Sequence, residues 1–434
     1  KTAAFLFLVF LSTNLMGQQK TFIPDDNFEQ IFIDGGFDDV LDDSIMTANI
    51  SGMTQLNIEG QGIQDMTGIE GFVSLTYLYC SVNNFSTLNL SQNTNLLFLH
   101  CGLNDFLTSI DISGAHQLAM LVLYSNFMLT SLDVSHNPNL VELECPFNQI
   151  SSLDLSQNPA LTYLNCSGND LTSIDVSNNI ALNYLECSSN QLTNLNVSEN
   201  VALDWLGCSD NQIIELDLSH NIDLTHLFCG YNQIESLDLS HNNLFFLMVP
   251  NTNITELDVS QSAALNYLRC SSNQLTSLDV SQNTNLETLH CFNNNLSCLN
   301  TSNGNNINLE LKAYNNPNLY CIEVDDASWS TANWTDIDPQ TLFSEDCFHD
   351  CSDCIAAFSS DTQTACGSYT WIDGNIYTAS NSSATFNIPG GAANGCDSLV
   401  TLDLTISNSV NGTDTQTACG SYTWIDGNTY TASN

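Results

Sequence analysis

A leucine-centred pattern that returns every 20 to 22 residues, most often 21, limits what this chain can fold into. Its opening leucines are Leu75, Leu96, Leu118, Leu140, Leu161, Leu182, Leu203, Leu224, Leu244, Leu265 and Leu286. The best copies read L-x-x-L-x-C-x-x-N, followed ten residues later by L-x-x-L-x-V/L-x-x-N. Leu265, Leu268 and Cys270 are thus matched by Leu275, Leu278 and Val280. Degenerate turns near Met53 and Asn308 extend the array, the second bringing Leu311 and Ala313 into register. A period this short means one small unit per repeat, which buries its apolar face only by stacking on its neighbours. The x-L-x-C-x stretch alternates with period two, a strand signal. Half-repeats of ten residues leave no room for a helix. The expected fold is a β-rich solenoid with short parallel strands on both sides of each coil.

The ends of the array read as caps, because a terminal coil otherwise exposes an apolar edge. Residues 22–34 read as a short helix with Asp25 or Asp26 as N-cap and Gly35 at its end. Leu319 to Asp326, then Trp329, Trp334 and Cys347, would close the far end. A second repeat follows. Segments 361–381 and 414–434 differ only at Ile376 versus Thr429, and alternating stretches such as Leu399–Ile406 suggest small β modules. At the start, Lys1, an apolar run over Ala3–Leu11 and the small Gly17 before Gln18 read as a signal peptide. That run is too short to span a bilayer. The expected division is therefore 1–17 signal peptide, 18–52 N-terminal cap, 53–324 solenoid, 325–360 C-terminal cap and linker, 361–413 first β module and 414–434 the start of a second. Export implies an oxidising compartment.

Over residues 20–350 these motifs resemble the secreted leucine-rich-repeat surface proteins of Bacteroidota, with nested L-x-x-L-x-C and L-x-x-L-D-L-S stretches in one coil. The resemblance implies a parallel, curved solenoid used for binding, followed by tandem Cys-containing β repeats and exported by type IX secretion. Composition agrees with a surface role. The chain carries 48 acidic against 4 basic residues, a net charge of −44. Such a chain repels nucleic acid and anionic membranes. The expected partner is an extracellular protein or glycan, with no nucleic acid and no membrane insertion, at a secreted or outer-surface location. No nucleophile–His–acid set or phosphate loop stands out, and the eight His lack metal-ligand spacing, so the chain reads as non-catalytic. Cys347-x-x-x-Cys351-x-x-Cys354 matches the spacing of an iron–sulfur motif, but it sits in a linker with no α/β barrel around it.

Several repeat columns carry polar groups. Cys80, Cys101, Cys145, Cys166, Cys187, Cys208, Cys229, Cys270 and Cys291 share one inward position with Leu123 and Val249, which points to small hydrophobes. The column from Asn83 to Asn294 suits hydrogen bonds to turn backbone. Asp133, Asp154, Asp175, Asp217, Asp238, Asp258 and Asp279 recur in L-D-V/L-S, with Asn196 as an exception. Stacked about 5 Å apart, these carboxylates need hydrogen bonds from neighbouring amides or, as the sharper alternative, calcium bridging the coils. Calcium is the one cofactor the sequence suggests. Among the remaining cysteines, Cys366 with Cys396 is the expected staple of the first β module, which is small for an unassisted core. Cys321 with Cys347 is the expected pair in the solenoid cap, with Cys298–Cys321 as its rival.

The residues flanking the inward leucine of L-x-C point outward. The position before it is aromatic in seven of eleven coils and includes Tyr163, Tyr184, Trp205, His226, Phe246 and Tyr267. The position after it includes Phe228, Met248 and Arg269, the single arginine of the chain. Aromatics stack well across parallel strands for purely structural reasons. Exposed on a rigid sheet, they also provide contact area at low entropy cost. These nine residues are the candidate ligand-binding face. The alternatives are a calcium-stabilised surface-layer component without a specific ligand, or the non-catalytic part of a larger secreted enzyme.

Overall fold

The structure, a computed structural model, describes residues 19–347, 357–388, 398–407 and 413–431. The expected signal peptide, Cys351, Cys354 and Cys396 lie outside these residues. The chain divides into two compact units, 1–351 and 352–434.

In the first unit the L-x-C stretch of successive coils forms one parallel sheet of 13 strands, ordered as in the sequence from Gln55–Asn57 to Glu310–Lys312. Each strand is three residues long, with a buried Leu in the middle. Register is in step throughout the described strands: Leu143, Leu164, Leu185, Leu206, Leu227, Leu247 and Leu268 are successive partners. A slip of one residue would turn every leucine to solvent.

The opposite half-repeats also bury most of their Leu and Val, but pair as strands only near the ends. Thr87–Asn89 pairs with Ser109–Asp111, and Ser277–Asp279, Cys298–Asn300, Cys321–Glu323 and Leu342–Ser344 form a four-stranded sheet. Strands on both sides of the coil are therefore a feature of the first and last coils. The long ladder holds coils at about 4.8 Å on its side. Across the middle of the array no strand pairing forms on the other side among the described residues.

Both ends are closed. The helix Asp26–Asp34 is capped by Asp25, whose Oδ1 accepts from the Asn27 and Phe28 amides at 3.0 Å each. Asp25 Oδ2 accepts from Gln64 and Asp65, tying the cap to the first coil. Phe28 and Phe32 pack on Phe72 with ring centroids 6.2 and 5.3 Å apart. At the other end the helix Ala327–Asn333 follows Asp326, and Trp334 Nε1 donates to Leu309 O. Cys321 and Cys347 form a disulfide with Cα atoms 5.9 Å apart, which excludes the rival Cys298–Cys321 pair.

In the second unit Ala357–Cys366 runs parallel to Ser398–Ser407, and Thr385–Ile388 pairs antiparallel with it. Trp371, Val400, Leu402 and Leu404 are its core. Trp371 Nε1 donates to Asp361 Oδ2, and Trp424 makes the matching bond to Asp414 in the second copy. The expected Cys366–Cys396 staple is not formed, because Cys366 is an exposed free thiol. Cys366 lies opposite Ser407 in the parallel pair.

Candidate binding face

The repeated polar columns are occupied by structural work. The column cysteines are buried free thiols. Burial pushes Cys145, Cys229 and Cys270 up to about 12, and Cys166, Cys187, Cys208 and Cys291 well above their ordinary range. They are protonated and packed, unlike reactive thiolates. Each column Asn knits two coils. Asn232 Nδ2 donates to Cys208 O of the preceding coil and Cys229 O of its own, and its Oδ1 accepts from the Ile213 amide.

The aspartates close a turn in every coil. Oδ1 of Asp133, Asp154, Asp175, Asp217, Asp238, Asp258 and Asp279 accepts from the amide of the Ser two residues on, at 2.8 to 3.0 Å. Asn196 does the same toward Ser198 at 3.0 Å, so a neutral amide suffices. Among the described residues no cluster of three His, Cys, Asp or Glu is placed to hold a metal ion. Hydrogen bonds from the serines hold Asp133, Asp175, Asp217 and Asp238 below the usual carboxylate range. Folded values below unfolded ones contribute stability that is complete above the unfolded value and is lost as pH falls through the folded one. The melting temperature is therefore expected to fall once pH drops below about 3.9. Asp238→Asn is expected to shift it by no more than about 2 °C at neutral pH. A thermal melt in calcium and in chelator checks the alternative directly, since a calcium-bridged column would melt higher in calcium and lose that gain in the chelator.

The outward face of the long sheet is different in kind, because its groups make few bonds within the fold. Parallel register sets Tyr163, Tyr184, Trp205, His226, Phe246 and Tyr267 side by side. Their rings stack almost face to face. Tyr163 and Tyr184 lie 4.2 Å apart at 7°, Trp205 and His226 4.9 Å at 20°, and Phe246 and Tyr267 4.2 Å at 3°. In the next row Phe228 packs between Trp205 and Phe246 at 4.6 and 5.0 Å. Met248 and Arg269 continue that row in register. All nine candidate residues are thus on one surface, each half-buried. Rings stacked along the array present their edges to solvent. Inside the stack each ring has a neighbouring ring along the array.

Charge flanks the stack on both sides. Glu142 and Glu144 are the outward pair of the strand before Tyr163. Burial, then the neighbouring Glu142, raises Glu144 above its ordinary value. Beyond Arg269, His290 Nε2 lies 3.1 Å from Glu310 Oε1, and Lys312 Nζ lies 2.6 Å from the same oxygen. The sequence gives little sign of this last cluster, because its coil departs from the repeat pattern around Asn308. Phe292 and Tyr314, stacked at 4.8 Å and 8°, were likewise hidden by position, since they follow the cysteine column rather than flank the leucine.

No family model matches the chain. Internalin J of Listeria monocytogenes serotype 4b is 41% identical over 81 residues, 18% of this chain and 9% of that protein, so the chain covers less than a tenth of that relative's length. Among solved structures, an internalin (inlF) from Listeria monocytogenes is similar with a TM-score of 0.57 at 20% identity, over 73% of this chain and 95% of that one. A leucine-rich-repeat protein of Leptospira interrogans gives a TM-score of 0.50 at 22% identity, over 64% and 74% of the two chains. The functional domain of InlJ from Listeria monocytogenes, described as including a cysteine ladder, covers 89% of this chain at 28% identity and a TM-score of 0.47. The inlF and Leptospira likenesses establish the leucine-rich-repeat fold. Among the described residues no helix is long and apolar enough to cross a membrane.

Proposed function

We propose that this leucine-rich-repeat chain is a secreted or surface-exposed binding protein that holds an extracellular protein against the outward face of its long sheet. Residues 1–17 would direct its export, and the type IX route is part of the same reading. The observation that carries the proposal is the half-buried stack from Tyr163 to Tyr267 with Phe228 beside it. A row of rigid aromatics offers wide contact area with little left to order on binding. Its orientation favours protein over glycan. A sugar stacks on a ring face, and inside this stack the faces are filled by neighbouring rings. Ring edges carry the positive end of the quadrupole and suit the carbonyl oxygens and side-chain carbons of a protein surface.

The test is to pass the purified full chain over an array of extracellular proteins and an array of glycans. Saturable binding on the protein array is expected. Binding confined to glycans would overturn the choice of partner. Silence on both arrays would overturn the binding role itself.

A further inference from the structure

Three of the four Lys and Arg residues of the chain are described, and two of them are paired. Lys20 lies 2.9 Å from Asp42, and Lys312 lies 2.6 Å from Glu310. Arg269 has no carboxylate within ion-pair distance among the described residues; its printed bond runs from Nε to Ser271 Oγ at 3.3 Å. In a chain with 48 acidic residues this needs a reason. Glu310, two strands on, is already shared by His290 and Lys312. The guanidinium therefore stands on the sheet face beside Tyr267 with donors to spare, and its planar fork fits a carboxylate with two parallel bonds.

The far end of the stack carries the opposite sign, where Glu142 and Glu144 flank Leu143; Glu186, on the Tyr184 strand, extends the acidic row toward Gly207. From the Glu142 strand to the Arg269 strand is six steps along the sheet. At strand spacing that is about 29 Å, the reach of roughly nine residues of extended chain. The surface is thus acidic at one end, apolar in the middle and basic at the other.

We propose that Arg269 is the anion-reading anchor of this face, and that the partner presents an extended segment of about nine residues. A carboxylate of the segment pairs with Arg269, its apolar middle lies along the ring edges, and its basic end meets Glu142 and Glu144. This rests on the sheet face being the binding surface.

The test is to pan a display library of random nonapeptides on the full chain, on Arg269→Gln, and on a chain carrying Trp205→Ser, Phe228→Ser and Phe246→Ser. The parent is expected to enrich peptides acidic at one end, basic at the other and apolar between. Changing the acid of the best peptide to its amide is expected to weaken binding to the parent about tenfold, and to Arg269→Gln by less than about twofold, as for loss of one charge-assisted pair. An equal acid preference in the parent and in Arg269→Gln, or enrichment of peptides without acids, overturns the anchor and leaves the face intact. Peptides enriched equally by the triple variant, or none enriched by the parent, overturn the face as well.

Discussion

Asn211→Ala is expected to destabilise the solenoid by about 3 kcal/mol or more, because it strips several buried backbone groups of their partner at once. Asn211 Nδ2 donates to Cys187 O and Cys208 O at 3.1 Å and to Ser209 O at 3.2 Å. Its Oδ1 accepts from the Leu192 amide at 2.9 Å. Alanine offers none of these bonds, and the site is buried. Asn190 and Asn232 make the same bonds in the adjacent coils and have no spare donor to cover the loss. Because each coil touches only its neighbours, the damage also cuts the array near its middle. Urea unfolding followed by circular dichroism should therefore show an earlier transition that broadens or splits. A loss below about 0.5 kcal/mol, the scale of an ordinary surface change, would show that the column is ornamental.

Trp205→Ser with Phe228→Ser and Phe246→Ser is expected to weaken the captured partner at least about a hundredfold, since central aromatics are where interface energy concentrates. The same change should leave the fold in place. The leucines beneath, Leu206, Leu227 and Leu247, are fully buried and untouched. The lost ring pairs are worth about 0.5–1.5 kcal/mol each. A matched control is available on the turn that follows the cysteines. Val82, Leu103 and Phe147 are exposed there, with φ of 61°, 56° and 58°. Their replacement by serine is expected to leave the affinity unchanged. Equal losses from both triple changes would place binding elsewhere than the sheet.

The repetition of the chain explains how much of this was readable from its residues. Each coil restates where Leu206 or Leu227 must point, so register and the outward row followed from alternation alone. The helix capped by Asp25 followed from its local chemistry. Other features depend on relations between coils that no single repeat encodes. The letters Tyr, Tyr, Trp and His do not say whether the rings stack face to face or splay outward. That choice decides which surface a ligand meets. Strands opposite the long sheet were expected in every coil and form near the ends, because pairing depends on the neighbouring coil and not on one repeat alone. A second buried Asn row, exemplified by Asn221 donating to Val197 O and Asn200 O, was visible as a motif but silent about its targets. The free thiol of Cys366 was not legible from the module's small size and cysteine content. Arg269 could be seen as the lone arginine, yet that it has no carboxylate within ion-pair distance among the described residues, while Glu310 is shared by His290 and Lys312, is a relation between coils.

The most direct test of the sheet face as the binding surface is hydroxyl-radical footprinting of the full chain, free and with its captured partner. Protection of Trp205, Phe228, Phe246 and Tyr267 is expected on binding, with Val82, Leu103 and Phe147 labelled as before. Protection of the second set with the aromatic row unchanged would contradict it.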